Sequence, residues 1–245
     1  PSRVAPDEAW ALGAFVGDGN LSAGRLACTV PAIRDKLSRL FRVTARDGYV
    51  DAHGARAWLR SHGFHGERAW EKYVPAHLLN DGRAAQAAFL AGLLDADGTV
   101  RRPAARGQIG VRWVSVSRRL LADCQHMLAG LGISAVIRLK SEATTTWHEA
   151  WELSVGGREP CARLFALLGS QIVHPEKRER LGATASLSPG DWQAKLRYRR
   201  EVDPVIAVEP IGEMEAVALT IDHGTHVTAG LVTHNTDGRM IPASQ

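Results

Sequence analysis

The chain has 245 residues, 45% of them hydrophobic, and its 30 Lys and Arg against 26 Asp and Glu give a net charge of +4. This hydrophobic fraction excludes a disordered chain, and no apolar run approaches the roughly 20 residues that span a membrane. The positive charge is compatible with a polyanionic partner such as nucleic acid but does not require one.

The cysteines indicate a reducing compartment. Cys28, Cys124 and Cys161 are odd in number, widely spaced and outside any C-x-x-C pattern. This arrangement argues against a disulfide framework and against a structural zinc site, and it predicts a cytoplasmic protein. The chain starts at Pro1 without a signal-peptide pattern, so we expect a cut or processing point there.

Two segments of the chain resemble each other and both end in Asp-Gly. They are "EAWALGAFVGDGNL" (8–21) and "AAFLAGLLDADGTV" (87–100), aligned on Asp18 and Asp97. Small residues recur every four positions in both segments, which puts them on one helix face. A glycine inside a helix costs about 1 kcal/mol relative to alanine, so this face predicts a close approach of two helices. The aligned small residues are Ala9, Gly13 and Gly17 in the first segment and Ala88, Gly92 and Ala96 in the second.

Side-by-side packing of these helices would bring Asp18 and Asp97 together at their C-terminal ends, where Gly19 and Gly98 turn the chain away. A helix C-terminus carries partial negative charge, so acids there are unfavourable without a nearby cation. The pattern therefore predicts a pocket with two carboxylates built for a cation.

The segments that follow each helix repeat as well. Periodicity and turn residues predict the order α-β-β-α-β-β-α in both halves, hence an α+β fold. In the first half the predicted elements cover 24–30, 31–40, a hairpin over 41–52, and 54–64. In the second half they cover 109–117, 118–132, 134–140, 150–157 and 159–169.

These motifs resemble the LAGLIDADG (DOD-type) homing endonucleases, a family often embedded in inteins. "LAGLLDADG" (90–98) differs at one position from the motif that names the family, and "LGAFVGDG" (12–19) resembles its looser first copy. The resemblance implies an endonuclease domain over 1–182, with repeats at about 6–80 and 81–182. It also implies a pseudo-twofold monomer whose paired helices form the interface and whose two curved β-sheets contact the major groove of double-stranded DNA with a long recognition site.

By the same resemblance, Asp18 and Asp97 are the metal ligands and hold Mg²⁺ or Mn²⁺ for phosphodiester hydrolysis. Hard carboxylate oxygens suit these ions. Asp95 aligns with Val16, so it is not expected to be a symmetric ligand. Lys72, in a K-x-x-P context, and Lys177, in "HPEKRERL", match the family's basic catalytic residues, which polarise water or stabilise phosphorane charge.

Strand and hairpin positions supply candidates for DNA contacts. Arg and Lys side chains can bond guanine edges and Gln side chains adenine edges, although many such residues contact phosphate alone. The candidates are Arg25, Arg101, Arg102, Arg106, Gln108, Arg112, Arg138 and Lys140.

The C-terminal part of the chain lacks the repeated helix and strand pattern of the first 182 residues. Residues 183–203 read as a linker, and 204–235 as short β segments that end in "GLVTHNT". This region resembles the C-terminal part of a Hint (intein splicing) domain, with 236–245 as the downstream extein. Thr236-Asp237-Gly238 is similar to half of a Y-x-D-T-D motif, which suggests a family B DNA polymerase as the host protein.

The residue types fit the last steps of protein splicing. Asn235 can cyclise and cleave the bond to Thr236, whose hydroxyl accepts the upstream extein, and His234 can protonate the leaving amine. Either His223 or His226 can be the additional family histidine, and Ala218 stands where the family has an aspartate.

The family's first splicing nucleophile and its T-x-x-H motif are not found upstream of the first repeat. We therefore expect a C-terminal intein portion that needs a separate or truncated N-terminal intein and extein segment. Two alternatives remain open: a cleavage-inactive DNA-binding relic or maturase-like nucleic-acid-binding protein, and a fragment that acts mainly in trans-splicing.

Overall fold

A computed structural model describes residues 3–101, 110–185, 225–228 and 231–234. The chain divides into two compact units, Pro1–Ser186 and Leu187–Gln245. Among the described residues, no helix combines the length and the apolar character needed to cross a membrane.

The first unit begins with a helix, a four-stranded antiparallel sheet and two further helices. The strand order is β1-β2-β4-β3. The elements are α1 (Pro6–Asp18), β1 (Gly19–Asn20), β2 (Arg25–Ala27), α2 (Pro31–Leu37), β3 (Arg42–Ala45), β4 (Tyr49–His53) and α3 (Ala55–Ser61).

The same order of elements returns after a short connection, which contains a 3-10 turn (Ala69–Glu71) and α4 (Ala76–Leu79). The second sheet has the order β5-β6-β8-β7, equivalent to the first. The predicted αββαββα repeat is therefore confirmed. Its second copy consists of α5 (Arg83–Asp97), β5 (Thr99–Val100), β6 (Gly110–Ser115), α6 (Arg118–Gly130), β7 (Val136–Ser141), β8 (Ala150–Gly156) and α7 (Arg158–Leu168), and α8 (Pro175–Ala185) follows it.

Helices α1 and α5 pack against each other along their small residues. A Cβ atom added to Gly13 would lie 2.0 Å from the carbonyl oxygen of Phe89, and one added to Gly92 would lie 1.9 Å from that of Trp10. Both distances are far inside van der Waals contact, so only glycine permits this backbone approach. The helix pair predicted from the four-residue spacing is confirmed and forms the centre of the core.

The glycines after α1 and α5 turn the chain out of each helix through extended backbone. Gly19 has φ −94° and Gly98 has φ −78°, both in extended backbone. Glycine is needed at both positions because the backbone lies close to the preceding helical turn. A Cβ on Gly19 would lie 2.4 Å from the carbonyl oxygen of Phe15, and one on Gly98 would lie 2.4 Å from Cδ1 of Leu94. The chain thus leaves each helix directly into a strand.

Helix α8 continues to Ala185 and so includes the first residues of the linker predicted for 183–203. The remaining linker residues lie outside the described part of the chain. In the second unit, β9 (Thr225–Thr228) pairs antiparallel with β10 (Leu231–His234). This hairpin falls within the β segments expected over 204–235.

Candidate active site

The helix pair brings Asp18 and Asp97 to one place. The two C-terminal ends touch there, since a Cβ on Gly17 would lie 3.1 Å from Cβ of Ala96 and 3.4 Å from Cβ of Asp97. A pocket beside this contact is lined by Gly17, Lys72 and Asp97, with further walls from β6 and α6. The predicted pairing of the two aspartates thus appears in the geometry.

Both aspartates are accessible to solvent, yet the surrounding protein partly desolvates their carboxylates. Desolvation raises the pKa of Asp97 to about 6, and the negative charge of Asp18 contributes to the rise. The pKa of Asp18 is raised by desolvation as well, while Lys72 and Lys177 oppose the change. The two carboxylates therefore share a site that favours added positive charge.

Lys72 lies at this site with its ammonium group at the end of α1. Its Nζ donates to the carbonyl oxygen of Gly17 at 3.0 Å. The backbone of Lys72 is held by Ser117, whose buried hydroxyl donates to the Lys72 carbonyl at 2.6 Å and caps α6 by accepting from the backbone N–H of Leu120. Burial lowers the pKa of Lys72, whereas Asp97 and Asp18 raise it.

Lys177 occupies the corresponding place at the end of α5. Its Nζ donates to the carbonyl oxygens of Leu94 and Asp95, both at 2.9 Å. Burial lowers its pKa, and the charges of Asp95, Asp97 and Asp18 oppose that shift. The two predicted lysines and two predicted aspartates therefore meet in one cluster.

These lysines place positive charge at the helix ends, where the sequence predicted a bound cation. Each ammonium group is bonded to carbonyls in the last turn of a helix, where a cation is favourable. Asp18 and Asp97 are thus matched in number by two positive charges within the protein, although desolvation outweighs these charges and keeps the pKa of both aspartates raised. A metal ion is not required for neutrality, and the case for one rests on the donor atoms.

The donor atoms fit a magnesium-like ion. In the described ranges, no three His, Cys, Asp or Glu residues cluster in a metal-binding arrangement, so the protein offers a carboxylate pair. Mg²⁺ commonly takes one or two carboxylates and completes its shell with waters and substrate phosphates. Asp18 and Asp97 meet that requirement, whereas a structural zinc site would need four protein ligands.

Asp95, two residues before Asp97, is used inside the protein. It is 1% exposed. Its carboxylate accepts from the indole of Trp10 at 2.8 Å and from the backbone N–H groups of Val173 and His174 at 2.9 and 3.0 Å. The sequence predicted that Asp95 is not a symmetric metal ligand, because it aligns with Val16 in the first repeat. No local pattern predicted its hydrogen-bond partners.

Two of the DNA-contact candidates occupy equivalent strand positions and are paired with acids. Arg25 on β2 bonds Asp51 at 2.7 Å, and Arg112 on β6 bonds Glu152 at 3.0 Å. Arg25 lies opposite Asn20 of β1, and Arg112 lies opposite Thr99 of β5. Asn20 and Thr99 each follow the aligned aspartates by two residues, so the two arginines are equivalent in the repeat.

The other candidates divide into those the structure places and those outside it. Arg138 and Lys140 lie exposed on β7, and the charge of Lys140 lowers the pKa of Asp97, so Lys140 lies on the side of the aspartate pair. Arg101 is exposed just after β5. Arg102, Arg106 and Gln108 fall outside the described residues.

Of the splicing candidates, the described residues include His226 on β9 and His234 on β10. In the hairpin register His226 pairs with Thr233, and His234 pairs with Thr225. His223, Asn235 and Thr236 lie outside the described residues. The structure therefore places the backbone of two candidates and leaves the predicted splicing site untested.

Comparison with curated proteins finds relatives named replicative DNA helicase DnaB. The one from Mycobacterium intracellulare is 26% identical over 236 residues, which cover 92% of this chain and 34% of that protein. The one from Rhodothermus marinus is 34% identical over 146 residues, which cover 57% of this chain and 15% of that protein. The chain thus spans about a third or less of their length, and these names give no support to the expected polymerase host.

Among solved structures, the chain is similar to the homing endonuclease I-DmoI. Mesophilic variants of that protein share 15% identity with a TM-score of 0.47, covering 66% of this chain and 95% of theirs. Its complex with DNA and Ca shares 16% identity with a TM-score of 0.48, covering 71% and 96%. In the comparison with protein families, residues 84–169, which run from α5 to the end of α7 and include Asp97, match the LAGLIDADG-like domain.

Proposed function

We propose that the first unit is a site-specific endonuclease that hydrolyses double-stranded DNA with a divalent metal ion. The observation that carries the proposal is the convergence of Asp18 and Asp97 at the touching ends of α1 and α5, with Lys72 and Lys177 beside them. The match of residues 84–169 to a LAGLIDADG-like domain supports the same interpretation for the second repeat.

Each residue of the cluster has a role in this proposal. Asp18 and Asp97 would hold Mg²⁺ or Mn²⁺, which when bound supplies Lewis acidity toward the scissile phosphate and lowers the pKa of water. Lys72 and Lys177 are held by helix carbonyls, so their charges are fixed next to the place where negative charge grows during attack on phosphorus. Water loses a proton as its oxygen bonds to phosphorus, a P–O bond of the backbone breaks, and the leaving oxygen takes up a proton.

The substrate follows from the surfaces that flank the pocket. Both sheets carry basic side chains on the face opposite the helices, among them Arg25, Arg112 and Arg138. Lys140 is exposed at the bulge of β7. Carboxylates pair with Arg25 and Arg112, which holds the guanidinium groups in defined places. Prepositioned arginines on antiparallel strands suit the major groove of double-stranded DNA.

The test is cleavage of a defined duplex. The DnaB names of the relatives suggest as probe the helicase coding sequence with the inserted segment removed, labelled on each strand and incubated with Mg²⁺ or with EDTA. Wild-type protein should cleave only with the metal, and Asp18→Asn and Asp97→Asn should not cleave. Asp35→Asn is the matched control, because Asp35 is an exposed aspartate on α2.

The outcomes separate the proposal from its alternative. If wild type and Asp97→Asn leave the duplex equally intact with Mg²⁺ while both bind it in EDTA, the unit is a DNA-binding relic. If neither binds duplex DNA but both bind RNA, a maturase-like protein is favoured.

We propose in addition that residues 204–235 form the C-terminal splicing segment of an intein inserted in a DnaB-type helicase. The alignment with the M. intracellulare relative covers 92% of the chain, more than the first unit alone can account for. The β9–β10 hairpin ends at His234, directly before Asn235.

This second proposal is tested by ligation in trans. The segment that precedes the aligned region in the M. intracellulare relative would be supplied as a separate polypeptide, and products would be identified by mass spectrometry. Wild type should join the two flanking sequences and release a chain ending at Asn235, and Asn235→Ala should not release it. Intact wild-type chains after long incubation would reject the proposal.

A further inference from the structure

We infer that Asp95 is a positioning residue for Lys177, and that it acts through the backbone of Val173 and His174. This inference rests on the proposed endonuclease activity. In the sequence, Asp95 is connected with the proposed metal site only because it lies two residues before Asp97. In the structure it belongs to a buried network that fixes the start of α8.

Asp95 binds the backbone of the segment between α7 and α8. Its carboxylate is almost completely enclosed and accepts three hydrogen bonds, two of them from consecutive backbone N–H groups at Val173 and His174. Hydrogen bonds from two adjacent N–H groups to an ionised carboxylate are stronger than bonds to a neutral acceptor. Asp95 therefore fixes the chain between α7 and α8 against the end of α5.

The same segment leads directly into the helical turn that carries Lys177. The carbonyl of His174 accepts from the N–H of Arg178 at 3.0 Å, so His174 begins the first turn of α8. Lys177 lies in this turn, and its Nζ reaches the last carbonyls of α5, including that of Asp95 itself. The side chain of Asp95 thus holds the residues at which α8 begins. The backbone carbonyl of Asp95 accepts a hydrogen bond from the ammonium group of Lys177 on α8.

The hydrogen bonds around Asp95 and the segment before α8 extend into the first repeat. Lys36 on α2 is 5% exposed, and its Nζ donates to the carbonyl and to the side-chain oxygen of Gln171 at 3.1 and 3.0 Å. The same Nζ lies 4.9 Å from the ring centre of Trp10, whose indole N–H is bonded to Asp95. The segment before α8 is held at Gln171 by α2 and at Val173 and His174 by α5.

The two repeats hold their lysines in different ways. Val16 occupies the position equivalent to Asp95 and offers no acceptor, and Lys72 is held instead by Ser117. Asp95 therefore supports one of the two lysines, and its loss should act on Lys177 while the anchor of Lys72 is kept. A displacement of about 1 Å at a catalytic group can cost roughly 100-fold in rate.

The experiment is a double-mutant cycle on single-turnover cleavage of the duplex described above. Asp95→Asn should lower the cleavage rate about 100-fold, with duplex affinity in EDTA unchanged. In a Lys177→Met background, the same substitution should have no further effect, because the group it positions has been removed. A role confined to folding would lower the rate by the same factor in both backgrounds.

Trp10→Phe provides a second variant in case Asp95→Asn does not fold. It removes one of the three hydrogen bonds and keeps an aromatic ring in the core. A rate loss of about 10-fold is expected with Lys177 present, and no further loss is expected in the Lys177→Met background. Lys36→Met, which removes the tie at Gln171, should behave in the same way.

The outcomes distinguish this inference from the proposed function. Equal losses for Asp95→Asn or Trp10→Phe in the two backgrounds overturn the inference and leave the endonuclease intact. Full activity of Lys177→Met also overturns it, because Asp95 then has no catalytic group to position. Absence of metal-dependent cleavage by the wild type defeats the proposed function itself.

Discussion

Gly13 and Gly92 each press against the backbone of the other's helix, so that a Cβ on either would fall about 2 Å from a carbonyl oxygen. The reciprocal contact sets the distance between α1 and α5. Because Asp18 and Asp97 follow at the ends of these helices, the same contact sets the distance between the two carboxylates. The packing of the core therefore determines the geometry of the candidate active site.

Substitution of Gly13 by alanine should be strongly destabilising. The added methyl would overlap the Phe89 carbonyl, and backbone atoms cannot move aside as a flexible side chain can. We expect a loss of about 3 kcal/mol in the free energy of unfolding, measured by urea denaturation. Gly130→Ala is the control, since Gly130 closes α6 with nothing within 4 Å of an added Cβ, and it should keep or slightly raise stability. Equal stability of the Gly13→Ala variant and wild type would contradict the packing.

The helix pair and the order of strands and helices could be predicted from the sequence, because both depend on local residue patterns. The spacing of Gly13 and Gly17, repeated at Gly92 and Ala96, identified the helix pair because close packing demands small residues at every fourth position. The order of strands and helices followed from periodicity, and the pairing of the aspartates followed from the pairing of the helices.

Interactions between distant parts of the chain were not predictable in this way. Asp95 bonds residues 78, 79 and 85 positions away in sequence, and Ser117 supports Lys72 from 45 positions away. Ser117 does carry a local signal, since a serine directly before a helix is a typical N-cap. That signal indicates the helix start but not the second bond to Lys72.

Metal binding without DNA should depend on the aspartate pair. Mg²⁺ or Mn²⁺ bound to the folded protein raises its thermal midpoint, because a ligand that binds only the native state stabilises it. The midpoint of wild type should rise as metal is added, and that of Asp97→Asn should stay constant. Asp35→Asn should follow wild type. The measurement is a thermal melt across a metal titration, and an equal rise in all three proteins would point to binding elsewhere.

Lys140 should contribute a phosphate contact. It is exposed on β7, and its charge acts on Asp97, so it faces the side on which the scissile phosphate is expected. Lys140→Gln should weaken binding of every duplex sequence by a similar factor and reduce the slope of log K against log salt by about 0.9. The control is Arg60→Gln, which removes an exposed charge on α3. A change in slope for Arg60→Gln equal to that for Lys140→Gln would argue against a defined binding face.

A pair of histidines far from the aspartates in sequence should make the fold sensitive to acid. His62 is half-buried at the end of α3, with its ring 4.7 Å from that of Trp58 and its Nδ1 3.2 Å from Nε2 of His77. Burial lowers the pKa of His62 from 6.5, His77 lowers it further, and Glu8 acts in the opposite direction.

The sign of the effect follows from that shift. Because His62 has a lower pKa in the folded chain than in the unfolded chain, unfolding takes up a proton once the pH falls below about 6.5. Stability should therefore decrease as the pH falls from about 6.5 through the folded pKa, and it should be unaffected by His62 above about 7.5. His62→Gln should reduce this acid loss, as followed by urea denaturation at several pH values. His77→Gln should reduce it less, because burial of His62, the larger cause, remains. Identical pH profiles for wild type and His62→Gln would exclude this histidine as the source.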